Sequence, residues 1–488
     1  MMKISISYPP IESPKGTPLL AQNRQFQWFN NPTYIYPMVP AYAATLLKGS
    51  GYQVIWDDGI AENKTYEKWR NDILMQEPDV IAIETKTPVV KRHWNIIDDI
   101  KRKSPDTRIV LAGDHATALP QESMENCEAD FILTGGDYDF LLLNLADHLA
   151  KGVKLEPGIW YRKDGTIKNS GLFKLDHDLN ELPFIDRDLT KWKLYSEKNG
   201  NYKRTPGTYT MVGRDCWHAK CTFCSWTTTY PSFRARTPEK LLDEIGMLIE
   251  KYKVKEIMDD TGTFPVGNWL HDFCTGMIER GYNKKINIHC NMRVNALMQE
   301  EYDLMANAGF RFILYGVESA NQGTLDRINK GTKVEDIPNA CMMAKKAGLD
   351  PHLTVMLGYP WETKTDALQT VKLAQEIFKK GWADTLQATI VIPYPGTPLY
   401  RECKENGWLV TEDWDRFDMR EAVMKCPITE QEIKELTQEL YKVFITPGYI
   451  LRRLLSIRNI DDLKFIKRGV SAVTGHLTDF SNKEKCDS

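Results

Sequence analysis

The chain has 488 residues, 42% hydrophobic and 26% charged, which is the balance of a soluble globular protein of roughly two to four domains rather than a disordered or fibrous one. A formal net charge of −3, with acids and bases interspersed, excludes the basic field of a nucleic-acid binder, so no nucleic-acid partner is expected. No apolar run reaches the roughly 18–20 residues of a membrane-spanning helix. Pro9 and Pro10 stop the opening strand-like run before it can form the apolar core of a signal peptide, and the expected location is the cytoplasm.

In chain order, short Val/Ile-rich runs at Lys3–Tyr8, Gln53–Asp57, Val80–Glu84, Arg108–Ala112 and Phe131–Thr134 read as strands. Helical patterns begin near Val39, Tyr66, Lys91 and Tyr138 between and after them. This alternation predicts a doubly wound parallel sheet over residues 1–152, with any ligand at the carboxyl ends of the strands. Residues 153–203 read as a linker holding a small hairpin, Gly158–Arg162 and Thr166–Asn169, around the Asp164-Gly165 turn.

A second alternating series fills residues 204–400, with strands at Thr208–Val212, Lys255–Met258, Ile286–Cys290, Phe312–Tyr315, His352–Leu357 and Gln387–Ile392. Thr237 is the expected N-cap of its first helix, with Pro238 at the first helical position and Glu239 favouring the positive end of the dipole. Six strand–helix units fit a full or partial parallel barrel whose chemistry gathers at the carboxyl ends of the strands. Residues 401–488 read as a helical C-terminal region. Within it, 449–458 is basic and amphipathic: either a terminal helix packed on the barrel with its arginines solvated, or a peripheral membrane contact.

Of ten cysteines only Cys216, Cys221 and Cys224 cluster, directly after the first barrel strand. In a reducing compartment such a cluster reads as metal or catalysis before disulfide. Three thiolates on one loop can bind three irons of a cubane cluster and leave the fourth open to a chelating substrate. Zinc is the rival occupant, although structural zinc usually takes four protein ligands and no second cysteine pair follows. His218, inside the loop, reads as a neighbour of the site or a solvent-facing residue rather than a fourth ligand.

These residues resemble the radical S-adenosylmethionine (SAM) enzymes, and more narrowly the branch with an N-terminal cobalamin-binding domain. The family pattern has three residues between its first two cysteines, whereas Trp217–Lys220 makes four here; Phe223 before the last cysteine fits. Further motifs follow the barrel strands in the family's order. The resemblance implies that Asp260, Thr261 and Gly262 bind the methionine amino group of S-adenosylmethionine, that Arg293 pairs with its carboxylate, and that Glu318 and Ser319 contact the ribose. It places Glu362, in Gly358-Tyr359-Pro360-Trp361-Glu362-Thr363, near the adenine. Pro393–Tyr400 matches a segment common in the cobalamin branch, and Arg234 and Arg236 match a family position that otherwise reads as a helix start with solvated arginines.

In the N-terminal half the Asp-x-His-x-x-Gly motif of histidine-ligated cobalamin domains is absent. Gly113, His115 and Thr117 resemble the segment that lines the cofactor's nucleotide tail, and Thr87, Gly135 and Gly136 resemble further positions along the same cleft. The resemblance implies a Rossmann-like doubly wound cobalamin domain, a partial (β/α)6 radical SAM TIM barrel and three cofactors: a 4Fe-4S cluster, S-adenosylmethionine and cobalamin. The expected activity is methylation of an unactivated carbon of a small-molecule or lipid-like substrate through a 5′-deoxyadenosyl radical, with an electron donor such as flavodoxin or ferredoxin and no side-chain catalyst for hydrogen abstraction. A radical cyclase, oxidase or carbon–carbon bond former without methyl transfer is the alternative, and a non-catalytic corrinoid- or cluster-binding sensor a second. Substrate and oligomeric state are not legible.

Overall fold

A computed structural model describes residues 1–20, 26–30 and 32–479, with side-chain surroundings to residue 470. Five strands, β1 (Lys3–Tyr8), β2 (Gln53–Asp58), β3 (Val80–Thr85), β4 (Arg108–Gly113) and β5 (Phe131–Leu133), pair in parallel in the order β2-β1-β3-β4-β5. The helices Met38–Gly49, Tyr66–Met75, Val90–Lys103 and Pro120–Asn126 connect them and Tyr138–Lys151 follows β5, the doubly wound arrangement that buried Val/Ile strands dictate. The strand order reverses between β1 and β3, which is where such sheets open a ligand crevice. The hairpin β6 (Ile159–Lys163) and β7 (Thr166–Asn169) is not free-standing: β6 pairs antiparallel with β5, so the sheet runs on to Asn169.

The second unit is a six-stranded all-parallel sheet in sequence order: β8 (Gly207–Thr210), β9 (Glu256–Asp259), β10 (Asn287–Met292), β11 (Phe310–Glu318), β12 (Asp350–Leu357) and β13 (Thr385–Ile390). β8 and β13 do not pair, so the barrel is partial and open along one side. Thr237 caps the helix Pro238–Glu250 by accepting from the Lys240 amide, with proline in its first turn.

The two units share one continuous core, in which Tyr42 of the first helix lies 5.9 Å from the guanidinium carbons of both Arg214 and Arg236. Neither Arg234 nor Arg236 is solvated as a simple helix start predicts. Arg236 is buried against Glu244, and Arg234 donates to both oxygens of Asp137 in the N-terminal unit. Asp137 lies 97 residues from Arg234, too far to be seen in a local window, whereas Glu244 is eight residues from Arg236 and within the helix that follows it.

The C-terminal region is helical, with Glu430–Tyr441, Pro447–Leu455 and Ile460–Asp479. The last two sit at the foot of the barrel. Arg453 donates to Asp384, just before β13, and Arg468 donates to the carbonyl of Tyr202, ahead of β8. Among the described residues no helix is long and apolar enough to cross a membrane.

Candidate active site

Strands β10 to β13 and the segments that follow β8 and β9 line one cavity of about 180 Å³ at the carboxyl end of the sheet. Cys216, Cys221 and Cys224 form its rim, and its walls carry Gly262 and Thr263 after β9, Arg293 after β10, and Glu318 at the end of β11. Tyr394 and Met419, from the segments beyond β13, also line it. The cysteine loop is fixed by pairing rather than by helix: Gly213 and Arg214 pair antiparallel with Arg234 and Ala235, and Cys216 bridges Thr263. The Thr263 hydroxyl lies 3.0 Å from the Cys216 sulfur, a contact that sequence reasoning missed. Burial pushes the Cys221 thiol up, and the cations Lys330 and Arg293 work in the opposite direction.

The donor set fits a three-ligand cluster. Three thiols border one cavity, each able to take a different iron, although among the described residues no three His, Cys, Asp or Glu side chains are grouped so as to hold a single metal ion. His218 Nε2 lies 2.7 Å from the Asn329 carbonyl, which ties the ring to the neighbouring loop, and burial lowers its pKa.

Lys330 is the second residue missed from sequence. Its Nζ donates at 2.6 Å to Glu318, and this buried pair stands in the cavity wall. Burial opposes the lysine's charge, yet Glu318 and the neighbouring Cys221 hold its pKa above the ordinary value. Gly316 makes room for the pair, because a Cβ there would lie 2.4 Å from Glu318 Oε1 and 2.7 Å from Lys330 Nζ. Arg293 Nη2 is occupied by the carbonyls of Lys330 and Gly331, while its Nε is buried without a partner in the same wall. A cavity holding one paired and one half-used cation suits an anionic group such as a carboxylate.

The other expected positions divide. Gly262 lines the cavity, whereas Thr261 is buried behind it, its hydroxyl accepting from the Gly213 amide. Asp260 and Ser319 are buried outside the set of lining residues, and Ser319 donates at 2.6 Å to Glu362. Burial raises the Glu362 pKa, and its Oε2 has no hydrogen-bond partner.

In the N-terminal unit Thr87, Gly113, His115, Thr117 and Gly135 converge on one buried knot at the carboxyl ends of β3, β4 and β5. His115 Nδ1 lies 3.2 Å from the Thr87 hydroxyl, and Thr117 donates to Gly113 O at 2.7 Å while accepting from the Gly135 amide at 3.1 Å. The His115 ring meets Trp94 and Trp414 edge-on, and its Nε2 is buried without a hydrogen-bond partner, 3.5 Å from Glu122. Gly136 plays another part. The Tyr230 ring lies so close that a Cβ would sit 1.8 Å from it, and the Tyr230 hydroxyl donates to Gly136 O, so this glycine admits the cysteine unit against the N-terminal one.

Tyr8 and Glu84 were not singled out from sequence. They stand at the ends of β1 and β3, on the strand-order reversal, where the Tyr8 hydroxyl donates to Glu84. Burial, only partly offset by Lys86 and the tyrosine donors, pushes the Glu84 pKa up to about 7. The cavity beside them is about 20 Å³, room for about one water.

The sequence profile of the radical SAM superfamily matches residues 210–374, from the end of β8 to the helix after β12. These residues form a radical SAM domain. The chain as a whole is similar to an uncharacterized methyltransferase of Pyrococcus horikoshii, 27% identical over 85% of this chain and 89% of the relative. It is also similar to the anaerobic magnesium-protoporphyrin IX monomethyl ester cyclase of Rubrivivax gelatinosus, 24% identical over 85% of this chain and 79% of that one. Among solved structures, the cobalamin-dependent S-adenosylmethionine radical enzyme OxsB superposes with a TM-score of 0.71 at 15% identity, covering 97% of this chain and 71% of OxsB. Likeness at that identity establishes the shared fold: a radical SAM partial barrel preceded by a Rossmann-like sheet.

Proposed function

We propose that this radical SAM enzyme is a cobalamin-dependent methyltransferase acting on an unactivated carbon of a small-molecule or lipid-like substrate. The observation that carries the reading is the barrel-end cavity, which gathers three thiols, a cation with a free buried donor and a buried Lys–Glu pair, beside a sheet whose reversal point is lined with buried polar groups. When bound, a 4Fe-4S cluster and cobalamin supply, respectively, the electron that cleaves S-adenosylmethionine to a 5′-deoxyadenosyl radical and the methyl group to be transferred.

The chain's own residues bind, orient and exclude water. Cys216, Cys221 and Cys224 would hold three irons. Arg293, through its free Nε, and Lys330 would receive the cosubstrate's carboxylate, with Glu318 keeping Lys330 protonated. The buried Thr87, His115 and Thr117 supply the donors and acceptors a nucleotide tail needs, and His115 Nε2, with only the Glu122 carboxylate at 3.5 Å, supports that reading. The small cavity beside Tyr8 and Glu84 means that seating a corrinoid there requires side chains over the strand ends to move. A flavodoxin or ferredoxin is the proposed electron donor.

The methyltransferase relative favours transfer, and the cyclase relative favours the second reading, a radical reaction without it. Anaerobic turnover with methyl-labelled S-adenosylmethionine separates the two. Label in the product supports methyl transfer; 5′-deoxyadenosine with unlabelled product supports the cyclase-type reaction.

A further inference from the structure

The helix Pro447–Leu455 is mounted inside out. Its polar side chains face the barrel: Arg452 donates to the carbonyls of Phe378 and Lys379 at the end of the helix Lys364–Lys380, and Arg453 donates to Asp384 and to the Tyr449 hydroxyl. Both arginines tie the helix to the barrel, Arg453 half-buried and Arg452 reaching the carbonyls from an exposed position. Its leucines are turned outward, with Leu451, Leu454 and Leu455 exposed by 58%, 58% and 67%.

The helix Ile460–Asp479 continues the pattern. Arg468 bonds Tyr202 O, and the Phe465 ring lies 5.6 Å from the Arg311 guanidinium, while Ile460 and Leu463 are 71% and 57% exposed. Arg458, Lys464 and Lys467 are exposed on the same stretch. Between residues 451 and 470 six basic residues face two acids, one of which, Asp462, is buried and paired with Lys203. The result is an apolar stripe flanked by cations, on a protein whose overall charge is negative.

We propose that these two helices form a docking face for an anionic lipid leaflet. Exposed aliphatic side chains beside lysine and arginine are the chemistry of a helix lying in the interface plane, where apolar residues enter the headgroup boundary and cations meet lipid phosphates. A second copy of the chain fits less well, since a two-fold contact would set the same cations against one another. The face lies at the foot of the barrel, opposite the cysteine cavity, so it anchors the enzyme without covering the mouth of the site.

Flotation of the full chain with vesicles tests this. With vesicles of mixed phosphatidylglycerol and phosphatidylcholine, about tenfold more protein floats than with phosphatidylcholine alone, and the excess is lost in about 0.5 M salt. The Leu451→Asp/Leu455→Asp variant loses vesicle binding, and Lys464→Glu/Lys467→Glu loses the preference for phosphatidylglycerol, both with the wild-type melting temperature. The proposal is overturned by equal flotation on the two vesicle types, by a leucine variant that binds as wild type does, or by self-association of the wild type that the leucine variant abolishes without any vesicle binding.

Discussion

Arg214, the residue two before the first cluster cysteine, ties the cysteine loop to the N-terminal unit, and removing its charge gives the sharpest stability prediction. Its guanidinium is 1% exposed and donates to both oxygens of Asp139, at 2.9 and 2.6 Å, and to Asp137 at 3.1 Å. Arg234 still pairs with Asp137 when Arg214 is replaced, so Asp139, fully buried, is the carboxylate left without a cation. Breaking a buried pair from one side costs about 3–5 kcal/mol, most of it the uncompensated charge. Arg214→Met should therefore destabilise by about that amount, read as a lowered denaturation midpoint. Because the loss is a stranded charge, Arg214→Met/Asp139→Leu should be more stable than Arg214→Met alone. A single variant within about 1 kcal/mol of wild type, or a double variant destabilised by the sum of the singles, would refute the reasoning.

Three further outcomes follow from the geometry. Gly136→Ala drives a methyl into the Tyr230 ring and should destabilise by about 1–3 kcal/mol, with partial rescue by Tyr230→Leu; chemical denaturation reads both. Burial works against the charge of His177, but hydrogen bonds to Asp137 and Glu156 outweigh it and hold its pKa at about 9. Its stabilisation is thus fully present below the unfolded value of about 6.5 and lost as pH rises through about 9; His177→Gln should flatten the pH–stability profile over that window, by about 1 kcal/mol after solvent screening. Gly316→Ala forces Glu318 and Lys330 apart and should weaken S-adenosylmethionine binding about tenfold by equilibrium dialysis, a change of about 1.4 kcal/mol, whereas unchanged affinity would remove that pair from the binding wall.

The parallel strands were legible because each is a short run rich in β-branched and aromatic residues, alternating or apolar, bounded by turn residues; β1, Lys-Ile-Ser-Ile-Ser-Tyr, matches its sequence reading residue for residue. The order of motifs along the barrel was legible for the same reason, since each follows a strand that fixes it at the same end of the sheet. What escaped depends on contacts across long sequence separations. Lys330 reaches Glu318 only because the chain turns back after the helix Gln322–Arg327, and Tyr8 meets Glu84 only because β1 and β3 are neighbours. The hairpin β6–β7 was recognised as a hairpin, but its addition to the sheet rests on the edge that β5 offers. The arginines of the C-terminal helix read as solvated because their acceptors, Phe378 O and Asp384, are 74 and 69 residues away.

The central claim is that Cys216, Cys221 and Cys224 hold the cluster of a radical SAM enzyme. Iron, sulfide and zinc analysis of anaerobically reconstituted protein, combined with S-adenosylmethionine cleavage under reducing conditions, tests it most directly. The account predicts about four iron per chain and formation of 5′-deoxyadenosine, both lost in Cys221→Ala; tightly bound zinc with no 5′-deoxyadenosine would contradict it.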